Sequence, residues 1–69
     1  MTADEWISAF ARELGTDDLT EEEVGELLEL AAEAAHASER IAAPLACYLA
    51  GRTGRPLGDV RATAERVTS

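Results

Sequence analysis

The sequence predicts an all-α fold, either a small four-helix bundle or a more irregular four-helix array, in a single domain over residues 1–69. Two Thr-x-x-Glu segments, beginning at Thr2 and Thr20, have the spacing of capping boxes that open helices. Pro44 suits the first turn of a further helix, and glycines stand where two helices are expected to end. No alternation of apolar and polar residues indicates a β-strand. We expect helices near residues 3–14, 21–37, 44–53 and 57–67.

The first helix is indicated by its capping box and by an apolar stripe. Glu5 lies three residues after Thr2, the spacing at which the two side chains satisfy each other's backbone N–H groups. Gly15 stands where a left-handed glycine usually ends a helix. The larger apolar residues between these ends fall on one helical face: Trp6, Ile7, Phe10 and Leu14.

The second helix is also expected to begin with a capping box, formed by Thr20 and Glu23. Acidic side chains fill its first turn, where they suit the positive end of the helix dipole. Glycine is unfavourable in a helix interior, so we expect Gly25 to mark a close crossing with another helix. The apolar residues again follow spacings of three and four: Val24, Leu27, Leu28, Ala31, Ala34 and Ala35.

Pro44 divides the second helix from the third. Proline costs about 3 kcal/mol inside a helix but nothing in its first turn. We therefore expect a break between Ser38 and Ala43 and a new helix beginning near Pro44, with Gly51 and Gly54 at its end. A fourth helix follows Pro56, with its apolar residues at near-helical spacing: Leu57, Val60, Ala64 and Val67.

The expected core is thin. Fourteen residues are Ala and only 17 are larger apolar or aromatic side chains, and a core of this size supplies about 3–5 kcal/mol. Cys47 is the only cysteine, so no disulfide within the chain adds to it, and association is the remaining support. Leu28→Ala is expected to cost about 2–5 kcal/mol. We expect the core to contain Trp6, Phe10, Leu14, Leu27, Leu28, Leu45 and Leu49.

The charge is divided unequally along the chain. The net charge is −8, but residues 1–39 sum to −11 and residues 40–69 to +3. Scattered Arg residues on an acidic body make a poor nucleic-acid surface, and anionic lipid would repel the acidic half. No signal peptide and no apolar run of about 20 residues is visible, so the expected location is cytoplasmic. The asymmetry indicates either a solvated acidic face or electrostatic complementarity with a partner or a second copy.

The sequence predicts no enzyme, no metal site and no cofactor. Cys47 and His36 are the only pair resembling a nucleophile and its base, and they lie on different predicted helices. Glu33 and His36 form one Glu-x-x-His segment, but a di-metal bundle requires a second one that this chain lacks.

The Ala-rich segment 31–54 carries the candidate binding residues. On a continuous helix His36 and Arg40 would be neighbours one turn apart. In one interpretation they join Arg52 or Arg55 in a cationic notch that holds a phosphate or a partner's carboxylate. In the other, Arg40 lies along the Ala surface and pairs with a glutamate. The candidate ligand- or partner-binding residues are His36, Arg40, Tyr48 and Arg52.

Several of these residues also resemble a known pattern. The chain combines an early Glu-Trp-Ile segment with Ala-His-x-x-x-Arg-x-Ala-Ala-Pro-Leu between the second and third helices. With this combination, the chain resembles a small helical domain family of unknown function from high-GC bacteria, and the resemblance covers most of residues 5–54. The matching positions are Trp6, Leu14, Gly15, Ala35, His36, Arg40, Ala42, Ala43, Pro44, Leu45, Leu49 and Gly51.

The resemblance implies a biological context without supplying an activity. Domains of that family occur alone and as extensions of proteins similar to the molybdenum cofactor guanylyltransferase. We therefore expect a non-catalytic accessory or protein-interaction domain linked to molybdopterin-guanine dinucleotide biosynthesis. Its partner would be a second copy, forming a homodimer, or a guanylyltransferase-like protein. The alternative is a small anion- or ligand-binding module that uses His36, Arg40 and Tyr48.

Overall fold

The computed structural model describes all 69 residues and confirms the all-α class. Four helices contain 77% of the residues, and there is no strand. The predicted bounds hold to within two residues. The helices are α1 Ala3–Leu14, α2 Glu21–Ala37, α3 Ala42–Thr53 and α4 Leu57–Thr68.

Both expected capping boxes are formed. The Thr2 hydroxyl accepts the Glu5 backbone N–H at 3.1 Å, and the Glu5 carboxylate accepts the Thr2 N–H at 2.7 Å. That hydrogen bond from the Thr2 backbone holds the pKa of Glu5 below its ordinary value. Thr20 and Glu23 make the same pair of contacts at the start of α2, at 3.1 and 2.8 Å. The two most acidic segments of the chain are therefore fixed at their N-termini by local bonds.

Thr20→Ala is expected to lower the free energy of unfolding by about 0.5–2 kcal/mol, because the first turn of α2 loses its side-chain acceptor. Urea denaturation followed by far-ultraviolet circular dichroism measures the change. Thr16→Ala is the matched control, since the Thr16 side chain makes no hydrogen bond. Equal losses in the two variants would show that the Thr20 cap contributes nothing.

Helix α3 begins two residues earlier than the prediction that placed its start at Pro44. The Ala42 and Ala43 N–H groups bond back to the carbonyls of Glu39 and Arg40, at 2.9 and 3.2 Å. This tight turn leads directly into the helix, and Pro44 occupies its first turn, where no N–H is needed. Gly54 ends α3 in the left-handed conformation, with φ +68°.

Helix α2 is the centre of the fold and packs against both α3 and α4, whereas α1 makes only marginal contact with the other helices. The prediction that Gly25 marks a close helix crossing is wrong, because a Cβ built there would meet no atom within 4 Å. Only three residues are buried: Ala11, Leu30 and Ala50.

The predicted core is therefore wrong for every member except the half-buried Leu27. The physical reason is the orientation of the helices. Helix α3 turns its small residues toward α2, with Ala50 only 2% exposed, and its larger side chains point to solvent. Leu28 is 65% exposed, so the large cost expected for Leu28→Ala no longer follows. The predicted core residues that are exposed are Trp6, Phe10, Leu14, Leu28, Leu45 and Leu49.

Candidate functional site

The predicted cationic notch is only partly assembled. His36 lies in the last turn of α2, and because α2 ends at Ala37, Arg40 falls in the following turn and not one helical turn from His36. Both side chains are exposed, and neither lies within 4 Å of an oppositely charged group, since every ion pair belongs to Arg61. The glutamate partner expected for Arg40 is therefore absent.

The structure does bring Tyr48 and Arg52 together. They lie one turn apart on the exposed side of α3, and the Arg52 guanidinium carbon is 4.9 Å from the centre of the Tyr48 ring. This is the geometry of a cation–π interaction. No hydrogen bond or ion pair connects either residue to His36 or Arg40.

The same side of α3 carries a continuous set of exposed apolar residues. These residues follow helical spacings of four, three and one, so they form one stripe along the outside of α3. Arg40 precedes the stripe and Arg52 follows it. We name this surface the α3 ridge, defined by Ile41, Leu45, Tyr48 and Leu49, all exposed.

A second apolar surface lies between α1 and α2. It is a groove of about 440 Å³ with an apolar floor that includes Ile7, Leu19 and Leu28. Three carboxylates line it and no cation does. We name it the α1–α2 groove. Its acidic residues are Asp4, Asp18 and Glu21.

Hydrogen bonds fix the α1 side of this groove, and an aromatic pair lies elsewhere on α1. The Asp18 carboxylate accepts the Ser8 hydroxyl and the Leu19 backbone N–H, which ties the connecting segment to α1. Trp6 and Phe10 stack along α1 with ring centres 5.0 Å apart, and both are about half exposed. Neither ring is part of the groove lining.

A smaller groove of about 370 Å³ includes residues of α2, α3 and α4. Its floor includes Leu30 and Val60, and both Arg52 and Arg55 contribute to its lining. Two of the chain's six arginines therefore lie at one apolar depression, whereas the predicted notch combined one of them with His36 and Arg40.

Arg61 makes every ion pair in the structure, but the sequence did not identify it as a candidate functional residue. It contacts Glu26 at 2.8 Å, Glu29 at 2.6 Å and Glu65 at 3.9 Å, joining α4 to α2. The hydrogen bond and charge of Glu26 raise the pKa of Arg61 further. The network is structural. Its only sequence signal was an Arg at helical spacing from Glu65, because Glu26 and Glu29 lie more than 30 positions away.

Cys47 faces the interior of the α2–α3 contact. Its thiol is half-buried and points at the Leu27 carbonyl at 3.9 Å. Burial raises the pKa of the Cys47 thiol, which is the opposite of the shift that activates a nucleophilic cysteine. No group of three or more His, Cys, Asp and Glu side chains is placed so as to hold a metal ion.

Alkylation of Cys47 by iodoacetamide at pH 8 is expected to be slower in the folded protein than in the same protein in urea. The folded thiol is shielded and has the higher pKa, so a smaller fraction is thiolate at that pH. Mass spectrometry gives both rates, and the pH at half-maximal rate should be higher for the folded protein. A faster reaction in the folded protein would contradict the inert environment of Cys47.

The molecule exposes more surface than a chain of its mass normally does. Its accessible surface is 5,396 Å² for 7.3 kDa. A folded monomer of that mass is expected to expose about 4,200 Å², so the excess is roughly 1,200 Å². The shape is correspondingly extended, with dimensions of 37 × 23 × 18 Å. Much of the surface that a compact monomer would bury remains open.

Comparison with known proteins gives one match. A family model described as "Domain of unknown function (DUF6457)" matches residues 1–69. Neither the curated proteins nor the solved structures include a match. None of the four helices combines the length and the apolar character that crossing a membrane requires.

Proposed function

This chain belongs to the DUF6457 family, and we propose that it is a non-catalytic protein-interaction domain. The observation that carries the proposal is the orientation of helix α3. Its Ala and Cys residues face α2 while the large apolar side chains of the α3 ridge face solvent. Apolar patches beyond a few hundred Å² are uncommon on monomers and usually mark interfaces.

The surroundings of the reactive side chains support a non-catalytic role. Cys47 points at a backbone carbonyl and its pKa is raised, so it has neither a base nor a stabilised thiolate. His36 is exposed and makes no side-chain hydrogen bond to a residue that would orient it. A nucleophile and base within hydrogen-bond reach, the usual signature of covalent catalysis, are not brought together.

We further propose that the partner is a guanylyltransferase-like protein and that the domain acts in molybdopterin-guanine dinucleotide biosynthesis in the cytoplasm. The support is the resemblance of residues 5–54 to domains of high-GC bacteria that occur alone or attached to such proteins. A domain attached in some proteins and separate in others commonly retains its contact with the protein it accompanies.

Sedimentation velocity of the domain mixed with a guanylyltransferase-like protein of the same organism tests this partner. The wild-type domain should sediment with it at tens of micromolar, and Leu45→Glu on the α3 ridge should abolish the complex. Val67→Glu is the control, because Val67 is exposed on α4, outside the ridge. Absence of a complex with wild type overturns this partner, and a complex that survives Leu45→Glu overturns the role of the ridge.

A second candidate function is binding of a small anion. Arg52 and Arg55 both line the smaller groove, and Arg52 is positioned by Tyr48. Titration of the protein with inorganic phosphate, followed by nuclear magnetic resonance, should then shift the amide signals of residues 48–55. The same shifts should appear in the variants His36→Ala and Arg40→Gln, because these two residues belong to the originally predicted notch and do not line the smaller groove. No shift at millimolar phosphate contradicts the anion-binding function.

A further inference from the structure

Two apolar surfaces of this chain are open at the same time, and they differ in charge. The α3 ridge carries Arg at both ends, at Arg40 and Arg52. The α1–α2 groove is lined by three carboxylates and no cation. One surface is apolar with Arg at both ends, and the other is an apolar groove lined by carboxylates. The two surfaces therefore complement each other in polarity and charge.

The exposed area fits a standard protein–protein contact. A stable interface buries about 800 Å² on each partner, and this chain exposes roughly 1,200 Å² more than a monomer of its mass is expected to. Covering the ridge and the groove together would bury most of the large apolar residues that are now exposed. The two surfaces supply seven of the twelve exposed large apolar residues.

We propose that the occupant of the α1–α2 groove is the α3 ridge of a second copy of this chain, in a reciprocal contact across a two-fold axis. The inference deepens the protein-interaction function proposed above and rests on it. A second copy and the guanylyltransferase-like protein would compete for the same α3 ridge. Each copy donates its ridge to the other's groove, so both surfaces are covered in one closed dimer. Closed two-fold dimers are the commonest arrangement among soluble homo-oligomers.

Charge selects this pairing over the two symmetric alternatives. A dimer that pairs the two α3 ridges would bring the arginines of both copies into the same interface. Groove against groove would place six carboxylates in one apolar contact. Like charges brought together at an interface oppose association, whereas the ridge-to-groove contact pairs opposite charges. Opposite charges also steer the encounter, so the association should weaken as salt rises.

Sedimentation equilibrium of the wild-type protein is the first test. The expected species at tens of micromolar is a dimer of the 7.3 kDa chain that dissociates on dilution and in high salt. Trp6 is the only tryptophan and lies on α1 next in sequence to the groove residue Ile7, so its emission should shift to shorter wavelength as the dimer forms. A monomer at all concentrations overturns the proposal, and so does an open series of larger polymers.

Two surface variants then identify which surfaces meet. Leu45→Glu on the ridge and Leu28→Glu in the groove should each weaken self-association by roughly 30-fold or more, the loss typical of a central interface residue. Both positions are exposed and helical, so Glu should be tolerated by the fold, and circular dichroism checks this. Val67→Glu is the matched control on α4 and should dimerise as wild type does.

An equimolar mixture of the two variants gives the decisive result. The Leu45→Glu chain keeps an intact groove and the Leu28→Glu chain keeps an intact ridge, so one good contact is restored and a heterodimer should form. A mixture that stays monomeric overturns the ridge-to-groove contact. A Leu28→Glu protein that dimerises fully by itself also overturns it, because ridge-to-ridge pairing alone would explain that behaviour.

The outcomes separate this inference from the proposed function. A wild-type monomer that binds the guanylyltransferase-like protein overturns the dimer and leaves the interaction function standing. A dimer that binds no such protein supports the self-association and removes that partner. A monomer that binds nothing overturns both.

Discussion

Leu30→Ala is expected to lower the free energy of unfolding by about 2–5 kcal/mol. Leu30 is 4% exposed and is the only large apolar side chain that the fold buries. It lies on α2 beside Ala46 and Ala50 of α3 and Val60 of α4, so its removal leaves a cavity where the three helices meet. A domain of this size is stabilised by only about 3–5 kcal/mol, so a large unfolded population should appear at room temperature.

The matched control is Leu28→Ala, the same change two positions away on the same helix. Its side chain is exposed, so the expected change is within about 0.5 kcal/mol. Urea denaturation at low micromolar concentration keeps self-association from contributing to either value. If Leu28→Ala proved the more damaging change under these conditions, the orientation of α2 described above would be wrong.

Ala50→Leu is expected to lower the free energy of unfolding by about 1–3 kcal/mol, because the three added carbon atoms would push α3 away from α2. Ala50 is the most completely buried residue of the chain and lies in the contact of α3 with α2. Ala62→Leu, on the exposed side of α4, makes the same change in volume and should be nearly neutral. A thermal midpoint for Ala50→Leu equal to or above that of wild type would mean that α3 does not pack closely on α2.

The helix bounds could be predicted from the sequence because local residues determine them. The two capping boxes bond residues three positions apart, and Gly54 needs only its own left-handed backbone. Pro44 restricted the start of α3 to a few residues. The two-residue error there came from the backbone bonds of the preceding turn, which carry no side-chain signal.

The core could not be predicted because periodicity finds the faces of a helix without telling which one is turned inward. In α3 the larger residues suggested the buried face, but Ala46 and Ala50 pack inward and Leu45 and Leu49 point out. Small side chains allow two helices to approach closely. Whether this close approach stabilises the fold more than burying the leucines depends on how the helices pack, which local sequence does not specify.

The proximity of two candidate residues could be predicted from the sequence only where the residues are local. Tyr48 and Arg52 meet because they are one turn apart on one helix. The pairing of His36 with Arg40 depended on a helix continuing past Ala37, which it does not. The contacts of Arg61 with Glu26 and Glu29 join distant parts of the chain, so no spacing rule could find them.

The marginal contact of α1 with the other helices has a consequence for how the chain opens. Caps at both ends, the Ser8–Asp18 hydrogen bond and the burial of Ala11 hold α1, whereas Leu30 and Ala50 are buried where α2 packs against α3 and α4. In the isolated chain, the amide hydrogens of α1 should therefore exchange with solvent through local opening, at a lower free energy than those of α2. Trp6 reports on α1 alone, so its fluorescence would record an earlier unfolding step than the helical signal of the whole chain.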